Sequence, residues 1–335
     1  MIDSALEAAP DDPEALHKRG IELRYLDKRD ESLAALDRSL DVRPDHAPTL
    51  AARGLTHALR GDYEEALADF DRSLDLQPDD PDVLNNRGSV LRHLNRNEEA
   101  LLNFNRSLDV RRNDATTLAN RGATLLDLDR AKDALANIDR SLELRPNHPD
   151  TIRLRAEATL ALGSADEALS DYNSYLRKHP EDPDALAGRA LAFARLGRNE
   201  QALTNFNRSL DIRPGVPAIL NNRGVVLLDM DRASDALDDF TAAQDIDPNN
   251  VDILHNRGLA LDRLGRDEDA RETFTRALDF APEDAGLLNR RGVSLAKLER
   301  FQEAVDDFTR ALALKPDDVE AIHNRGIVFG HLKRY

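Results

Sequence analysis

The dipeptide Arg-Gly returns along this chain every 34 residues. It stands at Arg19-Gly20, Arg53-Gly54, Arg87-Gly88 and Arg121-Gly122, and becomes Arg155-Ala156 and Arg189-Ala190. It then returns at Arg223-Gly224, Arg257-Gly258, Arg291-Gly292 and Arg325-Gly326. The frame never slips. A strict period of this size marks stacked repeats, each burying its apolar face against its neighbours only. Such an array is not a globular enzyme core, and it narrows the function to binding.

A length of 335 residues would ordinarily suggest two or three domains. The unbroken period predicts one elongated solenoid over 1–335 instead. Apolar residues make up 41% of the chain, but aromatics only 4%, and Trp is absent. The core must therefore be Leu, Ala and Val with an occasional Phe. The net charge of −17 opposes nucleic-acid binding, which depends on neutralising phosphates. It favours basic or neutral partners, and its plainest reading is solvated outer helix faces. With no Cys, thiolate metal sites, disulfides and cysteine nucleophiles are excluded. No apolar run approaches the ~20 residues of a membrane span. The first residues, from Met1 to Glu7, lack the basic and apolar regions of a secretory signal. The expectation is a cytoplasmic protein without cofactor, nucleic-acid or membrane partner.

With residue 13 as position 1, nine full units run from 13–46 to 285–318, and a tenth begins at 319. All fifteen prolines obey this frame. Nine sit at position 32, among them Pro44, Pro78 and Pro316, where proline ends one helix. Five sit at position 1, among them Pro13, Pro81 and Pro183, and the last, Pro48, at position 2, where the first helical turn tolerates it. Asp12-Pro13, Asp80-Pro81 and Asp182-Pro183 read as N-cap followed by first helical residue. Leu84, Gly88, Leu91 and Leu94 share one helical face, and Ala100, Leu101, Phe104 and Leu108 share another. Gly61, Gly163, Gly197 and Gly265 mark the turn between two such helices, where a left-handed helix end suits glycine. Each unit is helix A, tight turn, helix B, Pro-marked turn. Mid-helix Gly costs roughly 1 kcal/mol relative to Ala. Gly at position 8 and Ala at position 20 should therefore lie where helices A and B cross closely.

These residues resemble the tetratricopeptide repeat. Position 4 is Leu or Ile in all ten units, from Leu16 to Ile322, and never Trp. Position 24 is aromatic in Phe70, Phe104, Tyr172, Phe206, Phe240, Phe274 and Phe308. Position 27 is Ser or Ala except at Tyr175. Position 7, usually Leu in the family, is Arg in all ten units. The resemblance covers essentially the whole chain. It implies an all-α right-handed superhelical solenoid of antiparallel helix pairs, with a concave groove for a protein or peptide and no catalysis.

The Arg ladder at position 7 has two readings. It is a row of anion-binding guanidiniums, or a structural strut whose stem packs between repeats and whose head pairs with a helix-B acid. A ten-fold feature favours the strut, with Asp69, Asp239 and Asp307 at position 23 as partners.

In this family helix A lines the groove, and position 6 here holds Asn86, Asn120, Asn222, Asn256 and Asn324. They resemble the asparagine ladder of the superhelix in O-linked N-acetylglucosamine transferase, whose amides hold the backbone of an extended peptide. An amide both donates and accepts, as a peptide unit does. Lys18, Ala52, Leu154, Gly188 and Arg290 interrupt the row, leaving stretches near 86–120 and 222–256. The alternative is that these are solvated surface amides. Position 9 adds apolar Leu55, Val225, Leu259 and Val293, forming an exposed stripe or packing against the next helix A. Position 13 adds a charged ridge of alternating sign that includes Asp229 and Arg263. No Asn stands at position 9 and no Lys at positions 2 and 5, which argues against the family's carboxylate-clamp subclass.

The histidines include no i, i+4 pair, so no metal site is expected. The sequons at Asn105 and Asn207 fall on expected helices rather than loops and read as coincidence. Residues 97–111 and 199–213 agree at twelve of fifteen positions, which points to duplication and to two similar groove segments. Residues 1–12 correspond to positions 23–34, the remnant of a preceding helix B, and 319–335 to helix A of a tenth repeat. The chain reads as a segment of a longer protein, or as a solenoid that associates end to end into filaments. The function expected is a non-catalytic scaffold for protein–protein interaction that binds a peptide or protein segment of unspecified identity. The alternatives are a substrate-recruiting region of a larger enzyme such as a glycosyltransferase, and a self-assembling structural solenoid.

Overall fold

The computed structural model describes residues 6–7 and 9–332. Residues 1–5 and 8 of the helix-B remnant expected at 1–12, and 333–335 of the helix A expected at 319–335, lie outside the described residues. Nineteen helices alternate along positions 13–331. The A helices are α1 (Pro13–Tyr25), α3 (Ala47–Arg60), α5 (Pro81–His93), α7 (Ala115–Asp127), α9 (Pro149–Ala161), α11 (Pro183–Arg195), α13 (Pro217–Asp229), α15 (Val251–Arg263), α17 (Ala285–Lys297) and α19 (Val319–His331). The B helices are α2 (Arg29–Val42), α4 (Tyr63–Leu76), α6 (Asn97–Val110), α8 (Ala131–Leu144), α10 (Ala165–Leu176), α12 (Asn199–Ile212), α14 (Ala233–Ile246), α16 (Asp267–Phe280) and α18 (Phe301–Leu314). The fold is all-α, built of helix pairs, and no strand occurs among the described residues.

Local chemistry at four positions makes each pair. Asp12, Asp80, Asp114, Asp182, Asn250, Asp284 and Asp318 cap the A helices through side-chain oxygens that accept backbone N–H bonds. Position 15 takes a positive φ in all nine A-to-B turns: at Gly61, Gly163, Gly197 and Gly265, and also at Asp27, Asn95, Asp129, Asp231 and Glu299. The turn is thus left-handed whether or not glycine supplies it. The glycine at position 8 meets the large side chain at position 24. A Cβ on Gly88 would lie 2.7 Å from Phe104 Cε1, and one on Gly292 2.7 Å from Phe308 Cε1. Both rings are fully buried; burial of such a side chain is worth roughly 1.5–3 kcal/mol. Where position 27 is Ser, its hydroxyl closes the pair by donating to the first carbonyl of helix A. Ser39 bonds the Pro13 carbonyl at 2.7 Å, Ser73 that of Ala47 at 3.0 Å and Ser107 that of Pro81 at 2.8 Å.

The chain divides into two compact units, Met1–Ser164 and Ala165–Tyr335. Within the units, B helices pack against their own A helix and the next, as α4 does against α3 and α5 and α16 against α15 and α17, and A helices touch one another, as α7 touches α9 and α13 touches α15. The A layer is thus the crowded, inner side of each unit. In the first unit Phe70, Leu91 and Phe104 join one core cluster and Leu125, Ile138 and Leu142 another. In the second, Leu254, Phe274 and Leu288 form one cluster and Leu295, Phe308 and Val328 another.

Candidate functional site

The Arg ladder is a set of struts between consecutive B helices. Arg53, Arg87, Arg121, Arg189, Arg223, Arg257 and Arg291 each reach position 23 of their own repeat, sixteen residues on, and position 25 of the preceding repeat, sixteen residues back. Arg53 binds Asp69 through Nε (2.7 Å) and Nη2 (2.6 Å), and Asp37 through Nη1 (2.7 Å). Arg223 binds Asp239 at 2.8 and 2.6 Å and Asn207 at 2.8 Å. Arg291 forks onto Asp307 at 2.7 Å through both Nε and Nη2. Asp69, Asp239 and Asp307 are buried. Hydrogen bonds to Asp69 raise the pKa of Arg53, against the opposing effect of burial. Three others have neutral partners: Asn137 and Asn105 for Arg121, Asn205 and Asn173 for Arg189, Thr273 and Thr241 for Arg257. Burial lowers the pKa of these three arginines. The expected position-23 acids are therefore the partners where acids are present. The position-25 partner was missed, although the period would have revealed it by counting sixteen residues back as well as forward.

On the inner face, neighbouring A helices are tied by a second offset of 35 residues. Asn120 Nδ2 donates to Asn85 Oδ1 at 3.0 Å and to Ser89 Oγ at 3.3 Å. Asn256 Nδ2 donates to Asn221 Oδ1 at 2.9 Å, and Asn324 Nδ2 to Asn289 Oδ1 at 3.1 Å. The expected ladder is thus partly spent on itself, three of its five rungs at position 6 gripping position 5 of the preceding repeat. Asn86 and Asn222 have Ala51 and Ala187 at that offset and form no side-chain hydrogen bond among the described residues. All five position-6 amides are half-buried.

The other expected groove residues divide. Leu55 and Leu259 pack against core clusters. Val225 is 36% exposed, and Val293 is half-buried beside the last core cluster. On the position-13 ridge, Arg263 donates to the Leu228 carbonyl at 2.6 Å, Lys297 pairs with Asp262 at 2.6 Å, and Asp127 pairs with Arg92 at 2.5 Å. These contacts repeat the 35-residue offset. Asp229 is exposed and forms no ion pair. One further feature escaped the sequence reading: a cavity of about 250 Å³ between α17 and α19, where Val293 and Asn324 meet Phe301, Ile327 and His331. Its aromatic wall depends on a contact thirty residues apart, which no helical period announces.

Among the described residues there is no group of three or more His, Asp or Glu side chains placed to hold a metal ion. No helix among them is long and apolar enough to cross a membrane.

The geometry can be set beside known proteins. No curated protein sequence matches the chain. In fold it is similar to the crystal structure of the APC/C hetero-tetramer Cut9-Hcn1, with a TM-score of 0.64, 19% identity and 89% of this chain covered. The chain spans 59% of that relative's length. It is also similar to a tetratricopeptide repeat protein from Parabacteroides merdae, with a TM-score of 0.56, 21% identity, 74% of this chain and 98% of that one. PilF of Pseudomonas aeruginosa aligns with a TM-score of 0.54 and 17% identity over 61% of this chain and 93% of its own. At such identities the likeness is one of fold. Models of the tetratricopeptide repeat match residues 45–113, 122–193, 221–285 and 285–318. The helix pairs, their period and these matches agree, and the chain belongs to the tetratricopeptide repeat family.

Proposed function

We propose that this chain is a scaffold that holds an extended segment of a partner protein along the inner face of its A helices. The observation that carries this is one amide in each compact unit, Asn86 in the first and Asn222 in the second. Among the described residues each is a half-buried side-chain amide with no hydrogen bond, while Asn120 in the first unit and Asn256 in the second are tied to the preceding A helix. An unmade hydrogen bond at a partly buried amide is worth about 1 kcal/mol to whatever supplies it. A peptide backbone supplies both a donor and an acceptor. The chain's negative charge favours a basic or neutral segment. A relative in fold, Cut9-Hcn1, is a hetero-tetramer, which accords with assembly as the task.

Partner capture from a lysate by the intact chain, repeated with Asn222→Ala and Asn86→Ala, tests the reading. Neither amide supports the fold, so both variants should melt as the parent does. Captured partner should fall several-fold, since each lost hydrogen bond of ~1 kcal/mol is worth about fivefold. Undiminished capture by the double variant would refute the amide row as the binding surface.

A further inference from the structure

We propose that the cavity between α17, α18 and α19 is a subsite for one large apolar side chain, Phe by preference, carried by the segment that the A-helix face holds. The inference rests on the groove reading and adds its specificity. At about 250 Å³ the cavity is smaller than the ~300–1,000 Å³ of sites that take whole small molecules, and suits a single side chain.

Its walls are apolar and partly bare. Ile327 is 50% exposed, and Val293 and Ala296 line the side toward α17. Phe301 and His331 stack in parallel across the mouth, with ring centroids 5.1 Å apart and planes within 1°. That stack offers a flat face and edge to an incoming ring, the arrangement aromatic pairs favour.

Two polar neighbours fix what else the occupant must be. Asn324 Nδ2 is committed to Asn289, which leaves Asn324 Oδ1 to accept a backbone N–H from the anchored residue. Lys297 is held by Asp262 at 2.6 Å and Asp267 at 3.5 Å, so the one cation of the lining is already matched by carboxylates. No unmatched positive charge draws an acidic side chain here. The occupant is therefore a neutral apolar side chain on a peptide backbone.

The probe is N-acetyl-phenylalanine N-methylamide, one side chain with a peptide unit on each side, against its alanine counterpart. Both are titrated into the whole chain carrying labelled Ala, Ile and Val methyl groups. Saturable shifts should appear at the methyls of Val293, Ala296, Ile327 and Val328, with the phenylalanine probe bound roughly tenfold or more tightly than the alanine one. Ile327→Asp, at a half-exposed position, should keep the melting temperature and remove those shifts. Equal binding of the two probes, shifts scattered along the chain, or full binding to Ile327→Asp would overturn the proposal. Partner capture that depends on Asn222, found together with no preference for phenylalanine, would leave the groove standing and the anchor site overturned.

Discussion

At the scale of single residues, the structure converts the most conspicuous sequence feature into frame. An Arg at position 7 spends its donors on two B helices at once, and the residue that varies is the acceptor. Arg223 forks onto the two oxygens of buried Asp239, whereas Arg189 aims the same two nitrogens at the single Oδ1 of Asn205, at 2.9 and 2.7 Å. This natural comparison yields a prediction. Arg223→Met strands a buried carboxylate and should cost about 2–3 kcal/mol by denaturant titration. Asp239→Asn retains an acceptor with the shape already used by Asn205, and should cost less than ~1 kcal/mol. Equal losses in the two variants would mean that the carboxylate charge, not the acceptor geometry, sustains the strut.

At the scale of elements, the A-to-B turn shows backbone demand prevailing over side-chain preference. Position 15 is left-handed in every repeat, yet Glu299 occupies it at φ 61° in the ninth. A side chain there crowds the following carbonyl at a cost of roughly 1–2 kcal/mol that glycine avoids. The more flexible unfolded chain of a glycine variant offsets part of the gain. Glu299→Gly should therefore raise stability by about 0.5–1 kcal/mol, read as an upward shift in the unfolding midpoint with an unchanged denaturant slope. The same substitution at an exposed mid-helix position should destabilise by a similar amount.

At the scale of the whole molecule, repeat stability is roughly the sum of units and interfaces, so a titrating group in each unit acts on the total. Burial lowers the pKa of His17, with adjacent His46 adding to the effect; Glu14 opposes it, and Lys18 and Arg24 reinforce it. Burial likewise lowers His255, reinforced by Arg290 and opposed by Asp284 and Asp252. The folded state thus binds these protons less readily than the unfolded chain, whose histidines titrate near 6.5. Stability from this source is complete above that value and is lost as pH falls through it. Melting temperature should drop between pH 7 and pH 5, and the double variant His17→Gln, His255→Gln should flatten that slope. An unaltered slope in the double variant would assign the pH dependence elsewhere.

The fold was largely legible in the sequence because its determinants are local and recur. Proline at position 32, an acid at position 34, glycine at position 8 and a ring at position 24 each act within one helix pair, and thirty-four residues later the same physics applies. The candidate site was legible only in part. Asn86 and Asn120 look alike in the sequence, both at position 6. What separates them is the residue 35 positions earlier, Ala51 or Asn85, and that offset has meaning only once neighbouring A helices are known to touch. The same holds for Leu55, taken up by the core, and Val225, left in solvent.

By itself, then, the sequence determined the repeat, the helix pair and the family, since hydrophobic period, caps and turns are short-range instructions. Only the tertiary structure decided which amides and apolar side chains remain unspent. That depends on how closely successive A helices approach, and so on contacts summed across repeats rather than on any residue's own preference.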